Sequence, residues 1–213
     1  MKLSKSLHDL GLAFSEFNLN FDSLSLGQLE SKEWLVDELL KLETVLGFGI
    51  VYVLCGWYGI LSWMIFLKGV KVDLIRSFDI DPECEKIADR INKKHLADAW
   101  KFHAVTKDIN KMMFSYDEHQ LWSYQKEKYF EECNTPDTII NTSCEHLSNH
   151  WFNMIPGGQI VALQSTNFYD GEGHINCVEN LLHMRNKYPL REVFYQGVLE
   201  TEKYKRFMLI GVV

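Results

Sequence analysis

Apolar positions along this chain recur in two rhythms, and the change from one to the other outlines the fold. Over residues 4–42 the rhythm is helical. Leu3, Leu7, Leu10 and Leu12 cluster early, and Trp34, Leu35, Leu39 and Leu42 recur at spacings of three and four, which lines one face of a helix. Ser31 is a candidate cap for the second of these helices, with Glu33 and Asp37 in and near its first turn. Residues 1–46 are therefore expected to form a helical preface or lid, lying over the sheet or over a binding site.

Beyond the preface, short runs rich in β-branched residues alternate with helical stretches. Strands are expected at 50–54, 72–78, 100–105, 138–141, 159–164, 192–199 and 207–212, with helices at 60–67, 82–95, 145–154 and 174–187. Asp81 and Pro82 suit the cap and first turn of the second of these helices, and Pro156-Gly157-Gly158 ends the third. Such alternation implies a mostly parallel sheet covered by helices on both faces. Right-handed crossovers then gather the loops at the C-terminal strand ends along one edge, where ligands bind in such sheets. The last two strands are joined by a polar turn at 200–205, too short for a crossover helix, so they are expected to run antiparallel. The expectation for 47–213 is thus an α/β three-layer sandwich with a seven-stranded sheet.

Residues 45–67 carry no charge over a length sufficient to span a bilayer, so a membrane helix is a competing reading. Gly47, Gly49, Gly56 and Gly59 interrupt the run, and Ile50, Val51 and Val53 cluster in its first half. A strand, a glycine turn and a buried helix account for this composition, and the pattern downstream favours them.

Composition narrows the class of protein. Hydrophobic residues make up 46% of the 213 and charged residues 24%, enough apolar material for a real core. The formal net charge of −7 disfavours a protein that holds nucleic acid through its phosphates. Lys93-Lys94-His95 and Lys203-Tyr204-Lys205-Arg206, the densest basic stretches, are read as solvated faces. A small-molecule partner is favoured. The five cysteines are scattered with no C-x-x-C pair, so neither a zinc knuckle nor a disulfide framework is expected, and no metal ligand set is assigned. A reduced, cytoplasmic setting fits, and residues 1–9 lack the apolar core of a signal peptide.

Candidate chemistry begins at Val51-Tyr-Val-Leu-Cys-Gly-Trp-Tyr-Gly-Ile-Leu61. A strand leading through Gly56 and Gly59 into a helix lets backbone approach a ligand that a Cβ would obstruct. After the second strand stands Ser77-Phe-Asp-Ile-Asp-Pro82. A carboxylate at that strand end can accept from both hydroxyls of a ribose. Asp81 doubles as a helix cap, which leaves Asp79 freer to face a ligand. Thr106-Lys-Asp-Ile-Asn110 follows the third strand, where Asp108 can accept from an exocyclic amine while Ile109 packs on the ring.

In this order the parts resemble the class I S-adenosylmethionine-dependent methyltransferases, a Rossmann-like family. The resemblance covers residues 49–213. It continues through Asp137-Thr-Ile-Ile-Asn-Thr-Ser-Cys-Glu-His146, the turn Ile155-Pro-Gly-Gly-Gln-Ile-Val161 and the closing antiparallel pair. It implies S-adenosylmethionine as cofactor. Gly56, Trp57 and Gly59 would approach its methionine and ribose, Asp79 would hold the ribose, and Ile80 with Asp108 and Ile109 would hold the adenine. Asn141 to Ser143 would lie beside the reactive methyl. The chain departs from the family where an acid and alternating glycines are usual: Tyr52, Leu54 and Tyr58 stand at those positions. That departure keeps open a non-catalytic relative, or one with a different reaction at the sulfonium.

Methyl transfer to nitrogen or oxygen depends chiefly on positioning, with a base where the acceptor must lose a proton. His146, with Glu145 beside it, is the candidate base; a structural or pocket-lining histidine is the competing reading. Cys144 reads as a buried thiol. The polar and aromatic loop Gln164-Ser-Thr-Asn-Phe-Tyr-Asp-Gly-Glu-Gly-His-Ile-Asn176 leaves the fifth strand at the ligand edge. Phe168, Tyr169 and His174 are its candidates for acceptor binding, under the lid expected at 31–42.

Overall fold

The change of rhythm near Gly47 marks where a helical layer gives way to the sheet. A computed structural model describes residues 3–17, 19–97, 100–115 and 117–213. The preface forms α1 (Leu3–Glu16), a 3-10 turn at Phe21–Leu24 and α2 (Leu26–Leu42); Asn18, inside the helical stretch expected there, lies outside the described residues. Five strands and their helices follow in alternation: β1 (Ile50–Leu54), α3 (Ile60–Lys68), β2 (Leu74–Asp79), α4 (Pro82–Ile91), α5 (Lys93–Ala97) and β3 (Phe102–Thr106), then β4 (Asp117–Ser123) and β5 (Lys128–Asn134). The chain closes with β6 (Thr138–Asn141), α6 (His150–Asn153), β7 (Ile160–Thr166), α7 (Leu181–Lys187), β8 (Glu192–Glu200) and β9 (Lys205–Val212).

Seven strands form the main sheet in the order β3-β2-β1-β6-β7-β9-β8. β1 runs parallel to β2 and β6, β2 to β3, and β6 to β7. β9 enters between β7 and β8 and is antiparallel to both. Side chains alternate between two cores, as the pleat demands. Val51 and Val53 pack with Leu35, Leu39, Ile65 and Ala88 under α2, α3 and α4. Tyr52 and Leu54 face the other way, with Phe78, Trp151, Leu163 and Tyr188 under α6 and α7. The α/β three-layer sandwich expected from the sequence is the fold observed.

Register brings the ligand-side ends level. Leu54 pairs with Phe78 on one side and Asn141 on the other, and Thr166 pairs with Arg206. The turns after β1, β2, β6 and β7 therefore open on one edge.

Several expectations need correction. Ser31 does not cap α2, which begins well before it, after Ser25. It is buried inside the helix, where its hydroxyl donates to Gln164 Oε1 at 3.3 Å and its carbonyl accepts from Gln164 Nε2 at 2.8 Å. The helix from Pro82 breaks at Asn92, whose amide turns back to the carbonyls of Gly59 and Ala88. In place of one helix over 145–154 there is a 3-10 turn at Cys144–His146 and then the short α6. The helix expected from His174 starts only at Leu181. The hairpin β4–β5 was not expected at all. β5 is largely exposed, so no apolar alternation announces it. Arg76 of β2, itself buried, holds it by a paired ion contact to Glu132, with Nε–Oε2 at 2.6 Å and NH2–Oε1 at 2.8 Å.

The charge-free run at 45–67 divides between β1 and α3. No helix among the described residues is long and apolar enough to cross a membrane.

Candidate active site

The glycine turn after β1 is tightly wound. Cys55 and Trp57 sit at φ 52° and 47°, and Gly59 at φ 70°. Left-handed conformations at two non-glycine residues cost on the order of 1–3 kcal/mol each and collect at functional sites. Three hydrogen bonds hold the turn. Gly56 N–H donates to the Phe78 carbonyl at 2.9 Å, Gly59 N–H to the Gly56 carbonyl at 2.9 Å, and Trp57 N–H to Asp79 Oδ2 at 2.9 Å. A Cβ on Gly56 would collide with the hydroxyl of Ser77. Asp79 also accepts from Asp81 N–H through Oδ1 at 3.2 Å, so each of its oxygens takes one backbone donor and retains a free lone pair.

This turn forms one wall of a cavity of about 780 Å³. Cys55, Gly56, Trp57 and Asp79 line one side, and Thr142, Ser143 and His146 from the segment after β6 line the next. Thr166, Phe168 and His174 come from the end of β7 and its loop, Tyr204 from the turn before β9 and Arg206 from the start of β9. The cover is the stretch from Asp22 to Lys32, which supplies Asp22, Ser25, Gly27, Gln28 and Lys32. The part of the preface that lines the cavity thus lies mostly N-terminal of 31–42, where a lid was expected. That later stretch is core, because Leu35, Val36 and Leu39 are buried against the sheet layer.

Gly56, Trp57, Asp79, His146, Phe168 and His174 of the expected site meet at this cavity. The others do not line it, Glu145 among them, which is buried and accepts from Arg206. Gly59 begins α3 and turns toward Ala88 and Asn92 of the α4 region. Ile80 is exposed. Asp108 caps the 3-10 turn at Ile109–Lys111, accepting from Asn110 N–H at 3.0 Å, and the same hydrogen bond holds its carboxyl below the ordinary value. Ile109 belongs to the core with Met112 and Phe114, because the turn that Asp108 caps rotates it inward. Asn141 is fully buried and accepts from Ser143 N–H at 2.8 Å, shaping the segment that reaches the cavity rather than reaching it itself. Tyr169 is 57% exposed and absent from the cavity lining; the ring that stacks on Phe168 is Tyr204, at 5.3 Å between centroids.

Two cationic residues were missed. Arg206 was read as part of a solvated stretch, yet it is only 5% exposed. Its NH1 donates to the Thr142 carbonyl at 2.9 Å and its NH2 to Glu145 Oε1 at 3.3 Å. The signal in the sequence was its position directly before the apolar run Phe207 to Val212, which makes it the first residue of a buried strand. Lys32 is buried on α2, with Nζ donating to Gln28 Oε1 at 2.5 Å. Burial, reinforced by the charge of Arg206, lowers its pKa to about 7.

His146 Nδ1 lies 3.2 Å from the Gly173 carbonyl and is assigned as the donor, which leaves Nε2 as an acceptor. Burial lowers its pKa, partly countered by Glu145 and aided by His174, so the ring is neutral at pH 7. Cys55 and Cys144 are pushed up by burial and remain thiols.

No protein-family model matches the sequence, and no curated protein matches it. Solved structures do match in fold. Magnesium protoporphyrin IX methyltransferase from Synechocystis, crystallised with S-adenosylmethionine, is 14% identical with a TM-score of 0.60, covering 98% of this chain and 91% of its own. The N-methyltransferase NodS from Bradyrhizobium japonicum is 10% identical with a TM-score of 0.54, covering 86% and 96%. A methyltransferase from Aquifex aeolicus described as dependent on S-adenosylmethionine is 18% identical with a TM-score of 0.50, covering 84% and 89%. The chain has the class I methyltransferase fold.

Within that fold the departures at the first motif have structural uses. Tyr52, at the position of the usual acid, lies in the second core and donates its hydroxyl to the Asn134 carbonyl at 2.7 Å, tying β1 to the hairpin. Leu54 fills the same core, and Tyr58 packs its ring against Trp57 at 5.0 Å between centroids.

Proposed function

We propose that this protein is a methyltransferase that takes S-adenosylmethionine as donor and methylates a nitrogen or oxygen of a small-molecule acceptor. The observation that carries the reading is the joining of Trp57 N–H to Asp79 beside Gly56, on the wall of a cavity large enough for donor and acceptor. The fit to the cofactor rests on this geometry. Gly56 lines the cavity, the close Ser77 hydroxyl requiring a glycine there, and the Asp79 carboxylate keeps a free lone pair on each oxygen for a ribose. The cofactor, when bound, supplies a methyl group on a sulfonium.

The protein's own part is to orient and to take a proton. Phe168 and Tyr204 give a planar acceptor a stacking surface, and Thr142, Ser143 and Thr166 give it hydrogen bonds. A neutral His146, fixed through Nδ1, presents Nε2 to accept the acceptor's proton. The acids Asp22, Glu30, Glu172 and Glu202 among the lining residues disfavour a phosphate backbone and support a small molecule. Solved neighbours of the same fold include proteins crystallised with S-adenosylmethionine and with S-adenosylhomocysteine.

A second reading, binding without methylation or a different reaction at the sulfonium, is favoured by Tyr52, Leu54 and Tyr58 in the first motif. One experiment separates them: calorimetry with S-adenosylmethionine and S-adenosylhomocysteine, then mass analysis of products from a metabolite extract. S-adenosylhomocysteine with a methylated product supports methyl transfer. Methylthioadenosine marks the other chemistry, and binding without turnover marks the non-catalytic relative.

A further inference from the structure

Glu145 and His146 lie on the 3-10 turn after β6, and His174 lies on the loop after β7, so no sequence spacing links the three. Among the described residues they form a group whose ligand-capable atoms all lie within 4.8 Å of one another. We propose that Glu145, His146 and His174 bind one divalent first-row transition-metal ion in the wall of the cavity at its acceptor end.

Three observations support the site. Each imidazole has its Nδ1 against a backbone carbonyl, His146 on Gly173 at 3.2 Å and His174 on Phe168, which leaves each Nε2 to coordinate. Carbonyls in that outer position fix the tautomer and orientation of metal-binding histidines. Glu145 is 1% exposed; Oε1 accepts from Arg206, while Oε2 is buried with no hydrogen-bond partner. A buried carboxylate oxygen without a partner is costly, and a cation beside it removes that cost. The donor set is the third observation. Two imidazoles and one carboxylate suit iron, cobalt, nickel or zinc better than magnesium, and they leave coordination positions open. Donor atoms around such an ion stand about 3 Å apart, since each metal bond is about 2.0–2.2 Å. The ligand atoms of the three, within 4.8 Å of one another, would draw together to that spacing on binding the ion. An oxygen of the acceptor completes the coordination, and with the ion bound His146 is a ligand and no longer the base; this last use rests on the proposed methyl transfer, whereas the metal site does not.

Cobalt(II) alone, titrated into the full-length protein without any methyl donor, tests the site. The expected result is one ion per chain with ligand-field absorption in the visible. His146→Ala and His174→Ala should each weaken binding by at least about tenfold. His183→Ala, on the exposed start of α7, should leave it unchanged. The histidine variants spare the Glu145–Arg206 pair, and circular dichroism checks that they fold. Absence of the absorption in the wild-type protein, or an unchanged titration in the folded His146→Ala/His174→Ala double variant, overturns the site. Because no methyl donor is present, that outcome leaves the calorimetric test of the methyltransferase reading untouched.

Discussion

Trp57 N–H donates to Asp79 Oδ2 at 2.9 Å, so the turn after β1 and the acid at the end of β2 act as one unit. The bond fixes the carboxylate relative to Gly56, where the cofactor's ribose and methionine are proposed to lie. Asp79→Ala should weaken binding of S-adenosylmethionine by about 1.5–3 kcal/mol, the scale of a hydrogen bond to a charged group. Calorimetry on a variant whose melting curve shows it folded makes the check. A dissociation constant equal to that of the wild type would remove Asp79 from the cofactor site.

The acceptor wall is expected to separate Phe168 and His174 from their neighbour Tyr169. Phe168→Ala loses the stack with Tyr204, worth about 0.5–1.5 kcal/mol, and should lower kcat/KM roughly three- to tenfold. His174→Ala should also slow turnover, with cofactor affinity nearly unchanged in both. Tyr169→Ala should alter neither property, because that ring is exposed to solvent. Steady-state kinetics on the three variants would expose a misplaced acceptor site if Tyr169 proved the sensitive position.

Lys32 has a pKa near 7 in the folded protein against an ordinary value of 10.5, so its charge opposes folding. Between pH 7 and pH 10.5 the unfolded chain holds a proton that the folded chain has lost, and stability rises with pH across that window. Lys32→Met should therefore stabilise the protein by on the order of 1–3 kcal/mol below pH 7. The gain should vanish as pH approaches 10.5. Melting temperatures of both proteins at pH 6 and pH 10 measure it, and an equal gain at both would contradict burial as the cause.

Glu132 is shifted the opposite way. Burial works to raise its pKa, but hydrogen bonds from Arg76 and His119 outweigh it and hold the value at about 2, below the ordinary 4.5. Its stabilisation is complete above pH 4.5 and is lost as pH falls toward 2. Glu132→Gln should cost about 1 kcal/mol at pH 7, since the carboxylate keeps some contact with water. It should also flatten the loss of stability between pH 4.5 and pH 2. Denaturant titrations across that range would show the wild-type slope unaltered if the hairpin were held by other contacts.

Much of the sheet could be read from the chain because its signals are local. Five residues of β1, followed by Gly56 and the apolar α3, announce strand, turn and helix without reference to anything distant. The shortness of the turn between β8 and β9 dictated their antiparallel pairing. Asp79 was legible for the same reason, since a strand end is a local position and topology fixes its edge. The hairpin β4–β5 was not legible. Its attachment depends on Arg76 and Glu132, which are 56 residues apart, and its outer face carries no apolar rhythm.

The contents of the cavity lay further out of reach. Ile109 and Asn141 have the right neighbours in sequence, yet each is turned inward by a local cap or turn whose direction periodicity does not reveal. Lys32 and Arg206 come from separate segments and each looks ordinary in its own, whereas Glu145 and His174 are candidates whose proximity no spacing announces. Hydrophobic period and turn chemistry act over a few residues, so the chain alone was enough for the strands of the main sheet, their sequence and the edge on which their turns open. Which side chains meet at that edge, and which charges are buried there, follows from packing between distant segments, and that was settled only in three dimensions.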